Sequence, residues 1–198
     1  MTILRNQITQ LMANIDPLDA LEMEQITDAI NWVRMADEIY RIEKPATPDK
    51  HLVCYFLQYD RHAGKLWLGN HRTSGLWLPA GGHPERNEHP RMAVIRELQE
   101  ELGQKAGFIF TEPIFLTQTV TVGQTAGHTD VDLWFLLSGD STEPIKTAGT
   151  DFDREYSEYR WLSFAEILAM PISKLDPHMH RLIHKLTKMQ DANLLATN

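Results

Sequence analysis

One stretch restricts this chain more than any other: Gly82, Glu88, Arg96-Glu97, Glu100-Glu101 and Gly103, set across a loop and the helix expected after it from Pro90 to Leu102. Proline is preset for the first turn of a helix, and glycine suits the left-handed residue that ends one. On that helix Glu97, Glu100 and Glu101 stand at i, i+3 and i+4, so they share one face over an arc of about 100°. Val94, Ile95, Leu98 and Leu102 lie largely on the other side, available to a core. Like charges on adjacent turns repel, and their crowding raises at least one pKa. A divalent cation relieves this. Hard oxygen donors suit Mg²⁺ or Mn²⁺ and not zinc, which takes His or Cys. Mg²⁺ keeps several waters and completes its shell with substrate phosphate. The pattern therefore points to an acidic, metal-dependent site for a phosphate-bearing ligand. Gly81-Gly82 fits, because glycine lets backbone approach a metal or ligand closely. A solvated helix face with an Arg96–Glu100 pair explains the helical charges alone. It does not explain seven spaced Gly, Glu and Arg positions, which composition brings together on the order of once in a million chains.

The chain around this stretch divides in three. Residues 1–44 read as helical: a short amphipathic piece from Ile3 to Asn14, then a helix begun by Asp16-Pro17 and carried to Arg41. Leu21, Ile26, Ile30, Val33 and Ile39 give that helix an apolar stripe. Residues 45–50 form a Pro-containing linker. Residues 51–198 carry a different pattern. Strands are expected at His51–Tyr59, Leu66–Gly69, Phe108–Phe110, Ile114–Val122, Val131–Leu137 and Tyr159–Trp161, with a polar loop from Asp140 to Glu155. Ser163 with Glu166 is a capping box that opens a short helix. Asp176-Pro177 opens a last helix that reaches Gln190, and the tail from Ala192 should fray.

The segment from Gly82 onward resembles the Nudix box, G-x5-E-x7-R-E-U-x-E-E-x-G-U, at every position but the last, where Gln104 replaces an aliphatic residue. That departure follows the helix and is expected to change packing, not chemistry. The resemblance runs from His51 to Met170 and leaves residues 1–44 unexplained. It implies an α/β fold: an α/β/α sandwich with a central mixed sheet, here preceded by an N-terminal helical segment. It also implies hydrolysis of a nucleoside diphosphate linked to another moiety, with Mg²⁺ or Mn²⁺. By motif position, Glu97, Glu100 and Glu101 would be metal ligands, with Glu97 the alternative general base. Arg96 would orient Glu97, Glu88 would support the site, and the backbone carbonyl of Gly81 or Gly82 would supply a further ligand. Gly103 would close the helix. Many members add a loop acid before a late Trp; Glu155 is the choice here over Asp151, Asp153 and Glu158.

Other residues carry weaker signals. Arg72 and His83 flank the glycine turn and are candidates for substrate phosphate. Trp77 is a candidate for stacking on a base, although a core role is the favoured reading. Asp130 and Asp132 alternate along a strand, so both can face the substrate cleft. His178, His180 and His184 lack the setting of a metal motif and read as a solvated helix face. Cys54, the single cysteine, reads as core. The proline, tyrosine and coenzyme A signatures of some subfamilies are absent, which leans toward a nucleoside triphosphate or other small nucleotide. A nucleotide-sugar or ADP-ribose pyrophosphatase is the alternative. A non-catalytic binding module is a second one, opposed by the intact glutamates and arginine. An isomerase of isopentenyl diphosphate, built on a similar fold, would need a catalytic cysteine that Cys54 does not supply.

Net charge is −8, which opposes a stable nucleic-acid partner. With no long apolar run and no leader-like start, a cytoplasmic protein without membrane contact is expected. The apolar stripe on the N-terminal helix must bury somewhere. It can pack on its own domain or pair with a second copy, and a homodimer is slightly preferred.

Overall fold

A computed structural model describes residues 2–44, 46–121, 127–145 and 147–195. Two helices open it: α1, Ile3–Ala13, and α2, Ala20–Met35. Then follow β1 Lys50–Asp60, β2 Lys65–His71, β3 Trp77–Leu78, β4 Ala80–Gly82, α3 Pro90–Leu102, β5 Phe115–Val120 and β6 Thr129–Ser138. The chain continues with α4 Phe152–Glu155, β7 Tyr156–Ser163, α5 Phe164–Ala169, a 3₁₀ turn Ile172–Lys174, and α6 Met179–Asp191.

The strands form one mixed sheet in the order β3-β2-β1-β6-β5, with β4 also on β1 and β7 on β2. Strand β1 is central because its residues are apolar on both faces, the pattern of a doubly covered strand. It runs parallel to β6 along its whole length, His51 opposite Asp130 and Tyr59 opposite Ser138. Its other edge is shared: β2 takes the hairpin end, and Gly81-Gly82 of β4 pair with Tyr55 and Cys54. Helices α1, α2 and α3 pack on one face with Leu52, Cys54, Phe56, Leu133 and Phe135. The other face takes Leu57, Trp134, Leu136, α5 and α6. The expected α/β sandwich with N-terminal helices ahead of the sheet is what the chain adopts.

Several elements differ from the sequence reading. Helix α2 starts three residues late, because Asp19 and not Asp16 caps it by accepting from the Glu22 N–H at 2.9 Å. It stops at Met35, short of Arg41. The Arg5 guanidinium takes the carbonyls of Val33, Ala36 and Asp37 at 3.0, 2.5 and 2.8 Å, which satisfies the helix end. Phe108–Phe110 makes a single bridge to Leu137 in place of a strand. The loop before Tyr156 contains the short helix α4, and the late strand begins at Tyr156 and not at Tyr159. The last helix starts at Met179, with Asp176 accepting from the His178 N–H at 2.7 Å. The tail does not fray at Leu195, which is buried against the second face. Val122, assigned to a strand from sequence, falls outside the described residues, as do the final three.

The stripe of α2 is buried within the chain: Ile26, Ala29 and Val33 join α1 and the sheet in one core. That removes the reason for expecting a second copy. Leu21, read as part of the stripe, is exposed, and its neighbour Glu22 points inward instead. Glu22 Oε1 accepts from the Lys185 ammonium at 2.7 Å and from the Leu116 N–H of β5 at 3.2 Å. On the surface, Arg181 clasps Asp19 at 2.7 Å. Removing one member of a buried pair strands the other's charge, at a cost of roughly 3 kcal/mol. Lys185→Met should therefore lower unfolding free energy by about 3 kcal/mol in a urea titration, and a shift below 1 kcal/mol would sink this account of the pair.

Candidate active site

Helix α3 has the limits its sequence dictates. Pro90 occupies the first turn after the His89 cap, and Gly103 ends the helix at φ 63°, where a β-carbon would be strained. Gln104, just beyond, pairs its carboxamide with Gln58 on β1. Ala93, Val94, Leu98 and Leu102 are buried, whereas Ile95, assigned to the inner side from sequence, faces solvent.

The three carboxylates do not share one solvated face. Glu100 is exposed, Glu97 is partly covered, and Glu101 is only 6% exposed. Glu101 Oε2 accepts from the Tyr156 hydroxyl at 3.0 Å. Burial drives its pKa well above the ordinary carboxyl value, and the nearby Glu97 and Glu155 charges add to this; Tyr156 and the Gly81 N–H oppose it. Burial also raises Glu97, against the pull of Arg96. Two carboxyls are thus held largely out of water, Glu97 with Arg96 as its counter-charge and Glu101 without one.

Arg96 is the organising cation. Its Nε and Nη2 grip Glu88 in a fork at 3.0 and 2.8 Å. Nη1 donates to Glu97 Oε1 at 2.8 Å and to Glu100 at 3.1 Å, and Nη2 also reaches the His83 carbonyl at 3.1 Å. The fork holds the Glu88 carboxyl below its ordinary range despite partial burial. Gly82 lies against this set: a β-carbon there would collide with the Glu97 carboxylate. The glycine is required by close approach and not by its backbone angles.

Glu155 reaches the site from the end of α4. The His71 imidazole, 3.6 Å away, and a hydrogen bond from Arg154 Nε at 3.0 Å hold its carboxyl below the usual range against partial burial. Of the competing acids, Asp151 also binds Arg154, at 2.7 Å, and Glu158 pairs with Arg160 at 3.4 Å. The Asp151 N–H donates to the Glu100 carbonyl at 2.8 Å, tying this loop to α3. Arg72 secures it from the other side, its Nε donating to the carbonyls of Asp153 and Tyr156 at 2.8 and 3.0 Å.

Four sequence candidates sit differently from expectation. The Trp77 ring is buried with the Arg160 guanidinium 4.5 Å over it, so no face is open for a base. Asp132 is 1% exposed, and accepts from Thr117 and Thr119 at 3.0 Å each. It belongs to the interior and not to a cleft. Asp130 and His83 instead meet two other histidines. His83 is neutral: burial, then the Arg41 charge, push its pKa down to about 2. His178 contacts Arg181 at 3.0 Å, His184 is exposed, and these histidines form no metal cluster among the described residues. Cys54 is core, its thiol pushed well up by burial.

One residue escaped the sequence reading. Arg41 follows α2 as part of an irregular segment, half-buried, in the field of Asp130, Glu97 and Glu155. Burial lowers its pKa and those three acids counter this. It was unreadable because its neighbours come from three distant segments. A cavity of about 530 Å³ between residues 14–18, 110–114 and α6 shares none of these groups. No helix is long and apolar enough to cross a membrane among the described residues.

Comparison with known proteins agrees with this geometry. A family model described as NUDIX domain matches residues 49–186. The chain is similar to an RNA pyrophosphohydrolase of Rickettsia bellii, 29% identical over 120 residues that cover 54% of this chain and 72% of that protein. It is also similar to Nudix hydrolase 25 of Arabidopsis thaliana, 27% identical over 122 residues, covering 55% and 70%. Among solved structures, a NUDIX-family hydrolase from Clostridium perfringens superposes with a TM-score of 0.51 at 20% identity, covering 70% of this chain and 97% of that one. A MutT protein from Methanosarcina mazei superposes at 0.51 and 23%, covering 70% and 94%. These likenesses carry the fold alone.

Proposed function

The chain belongs to the Nudix family and is a hydrolase of pyrophosphate bonds; on that premise we propose that it cleaves the diphosphate linkage of a nucleoside triphosphate or another small nucleotide. One observation carries the reading: two desolvated carboxylates, Glu97 and Glu101, held beside the Gly81-Gly82 turn, the first by Arg96 and the second by Tyr156. The donor set is all oxygen, Glu101 lacks a counter-charge, and Gly82 lets the Glu97 carboxylate close on the glycine turn, so the residues fit a divalent cation. Glu100, Glu101 and Glu155, with the Gly82 carbonyl, would hold Mg²⁺ or Mn²⁺, and Glu97 would serve as the base. Such an ion, when bound, neutralises charge developing on phosphoryl oxygens and makes a bound water more acidic.

The chain's own residues supply the rest. Arg96 anchors Glu97 through Oε1 and leaves Oε2 to accept a proton from the attacking water. The raised pKa of Glu97 improves it as a base near neutral pH. Tyr156 and the Gly81 N–H fix the Glu101 carboxylate from behind. Glu88 acts by holding Arg96, so it is a positioning residue. Arg41 offers a cation for the substrate phosphates. A charge-assisted contact contributes about 1.5–3 kcal/mol, so Arg41→Ala should raise KM about tenfold or more with kcat little changed; an unaltered KM would show that Arg41 does not meet substrate.

The substrate test is a panel of nucleoside triphosphates, nucleotide sugars, ADP-ribose and a short 5′-triphosphorylated RNA, each with Mg²⁺ or Mn²⁺, followed by phosphate and pyrophosphate release. Turnover of a small nucleotide by the largest kcat/KM supports the proposal. The similarity to RNA pyrophosphohydrolases favours the RNA end as second reading, and a higher kcat/KM on the RNA would establish it over the first.

A further inference from the structure

Three imidazoles and one carboxylate that the hydrolytic reading does not use converge beside its site. His51, fully buried on β1, stands opposite Asp130 in the parallel β1–β6 register. Its Nε2 lies 3.1 Å from Asp130 Oδ1 and 3.2 Å from His83 Nε2. His128, just before β6, brings its Nε2 within 3.3 Å of the same Asp130 oxygen. The His51 ring packs against those of His83 and His128, each with centroids 4.9 Å apart.

The hydrogen positions make this arrangement unusual. His51 Nδ1 lies 2.8 Å from the Pro48 carbonyl oxygen, which only accepts, so Nδ1 carries the hydrogen and Nε2 of the neutral ring is bare. His128 Nδ1 lies 3.0 Å from Thr121 Oγ1, whose own hydrogen goes to the His128 carbonyl at 3.2 Å. That leaves His128 Nε2 bare as well. Asp130 Oδ1 is buried and makes no hydrogen bond. His83 Nε2–H can donate to the bare His51 Nε2, but the neutral His51 and His128 rings both turn lone pairs on Asp130 Oδ1 at contact distance, an arrangement that a cation among them relieves.

The spacing matches a specific kind of cation. A tetrahedral ion with nitrogen and oxygen ligands at about 2.0–2.1 Å has ligand–ligand edges of about 3.3 Å. The contacts here are 3.1, 3.2 and 3.3 Å, and the donor atoms of His51, His83 and Asp130 all lie within 4.8 Å of one another. The backbone carbonyl behind His51 is the orienting partner that a metal-binding imidazole ordinarily has. We propose that His51, His83 and Asp130 form a second metal site, selective for Zn²⁺ or a related transition ion and distinct from the all-oxygen site of α3, with His128 supporting it through the shared Asp130 oxygen. Imidazole-rich donors favour such ions, whereas carboxylate and carbonyl oxygens favour Mg²⁺ and Mn²⁺. The ion would join β1, β6 and the turn after β4, whose His83 carbonyl Arg96 also holds. This site does not depend on which substrate is cleaved.

The test uses the full chain stripped with a chelator, then titrated with Zn²⁺ against a chromophoric competitor in excess Mg²⁺, and with Co²⁺ by visible absorption. The expected result is about one equivalent of Zn²⁺ that Mg²⁺ does not displace, and the intense bands of four-coordinate Co²⁺. His83→Gln and Asp130→Asn should each weaken Zn²⁺ binding by about 100-fold or more, while Glu100→Gln leaves it intact. His51→Gln is the third variant, and circular dichroism separates lost binding from lost fold in all of them. Absence of tight Zn²⁺ binding, a weak six-coordinate cobalt spectrum, or binding abolished by Glu100→Gln and spared by His83→Gln would each overturn the site.

Discussion

Glu101→Gln should lower kcat/KM by about 10³-fold and leave the cation-free protein as stable as the wild type or more so. The two halves of this expectation have one cause. Glu101 is buried beside Tyr156, and burial holds its pKa well above the ordinary value. A carboxyl with a raised native pKa supports the fold fully while protonated, below its unfolded pKa. It loses that contribution as pH rises through the native value. At neutral pH the ionised group therefore opposes folding until a cation offsets it. Glutamine keeps the shape and accepts the same hydrogen bond from Tyr156, but carries no charge to bind the ion. Melting curves in chelator from pH 4 upward should show wild type falling away from Glu101→Gln as pH rises, with added Mg²⁺ or Mn²⁺ restoring wild type alone. Near-normal turnover by Glu101→Gln, or a variant less stable than wild type at every pH, would remove Glu101 from the proposed ligands.

Arg96→Ala has the next largest effect, and it combines both kinds of loss. The guanidinium serves Glu88, Glu97, Glu100 and the His83 carbonyl together. Truncation leaves the partly buried Glu88 and Glu97 without their counter-charge, at about 2–3 kcal/mol in unfolding free energy. Activity should fall by about 10²-fold or more, because Glu97 is no longer held by one oxygen. Arg96→Lys should restore part of the stability and little of the activity. A point charge cannot span the Glu88 fork and Glu97 at once. Equal recovery of both by lysine would show that charge alone, and not the fork, is what Arg96 supplies.

What could be read from sequence follows the range of the interaction. Helix α3 was legible to the residue, since Pro90 and Gly103 are local signals, and so was the capping box of Ser163 and Glu166. Spacing alone placed Glu97, Glu100 and Glu101 on one helix arc. It could not show that Tyr156, more than fifty residues on, closes over Glu101 and leaves Glu100 open. Helix α2 was misplaced at both ends because the competing caps, Asp19 and Arg5, are side-chain choices among equally plausible ones. Trp77 and Asp132 were misread because their covers, Arg160 and the threonines of β5, are brought in by strand pairing. Pairing also hid the company of His83: the β1–β6 register brings His51 and His128 to Asp130, and β4 on β1 brings His83 to them.

The buried Glu22 carboxylate sets an order on synthesis. It is made early and takes the neighbouring Leu18 N–H at once, yet its other partners are the backbone of β5 and the ammonium of Lys185 on α6. During translation Glu22 must stay hydrated until Lys185 leaves the ribosome, because burying it alone would cost several kcal/mol. The apolar faces of α1 and α2 therefore cannot dock early and for good. The nascent sheet keeps that face open until the last helix arrives, so a ribosome stalled before residue 185 should carry a chain that proteases still cut between α2 and β1.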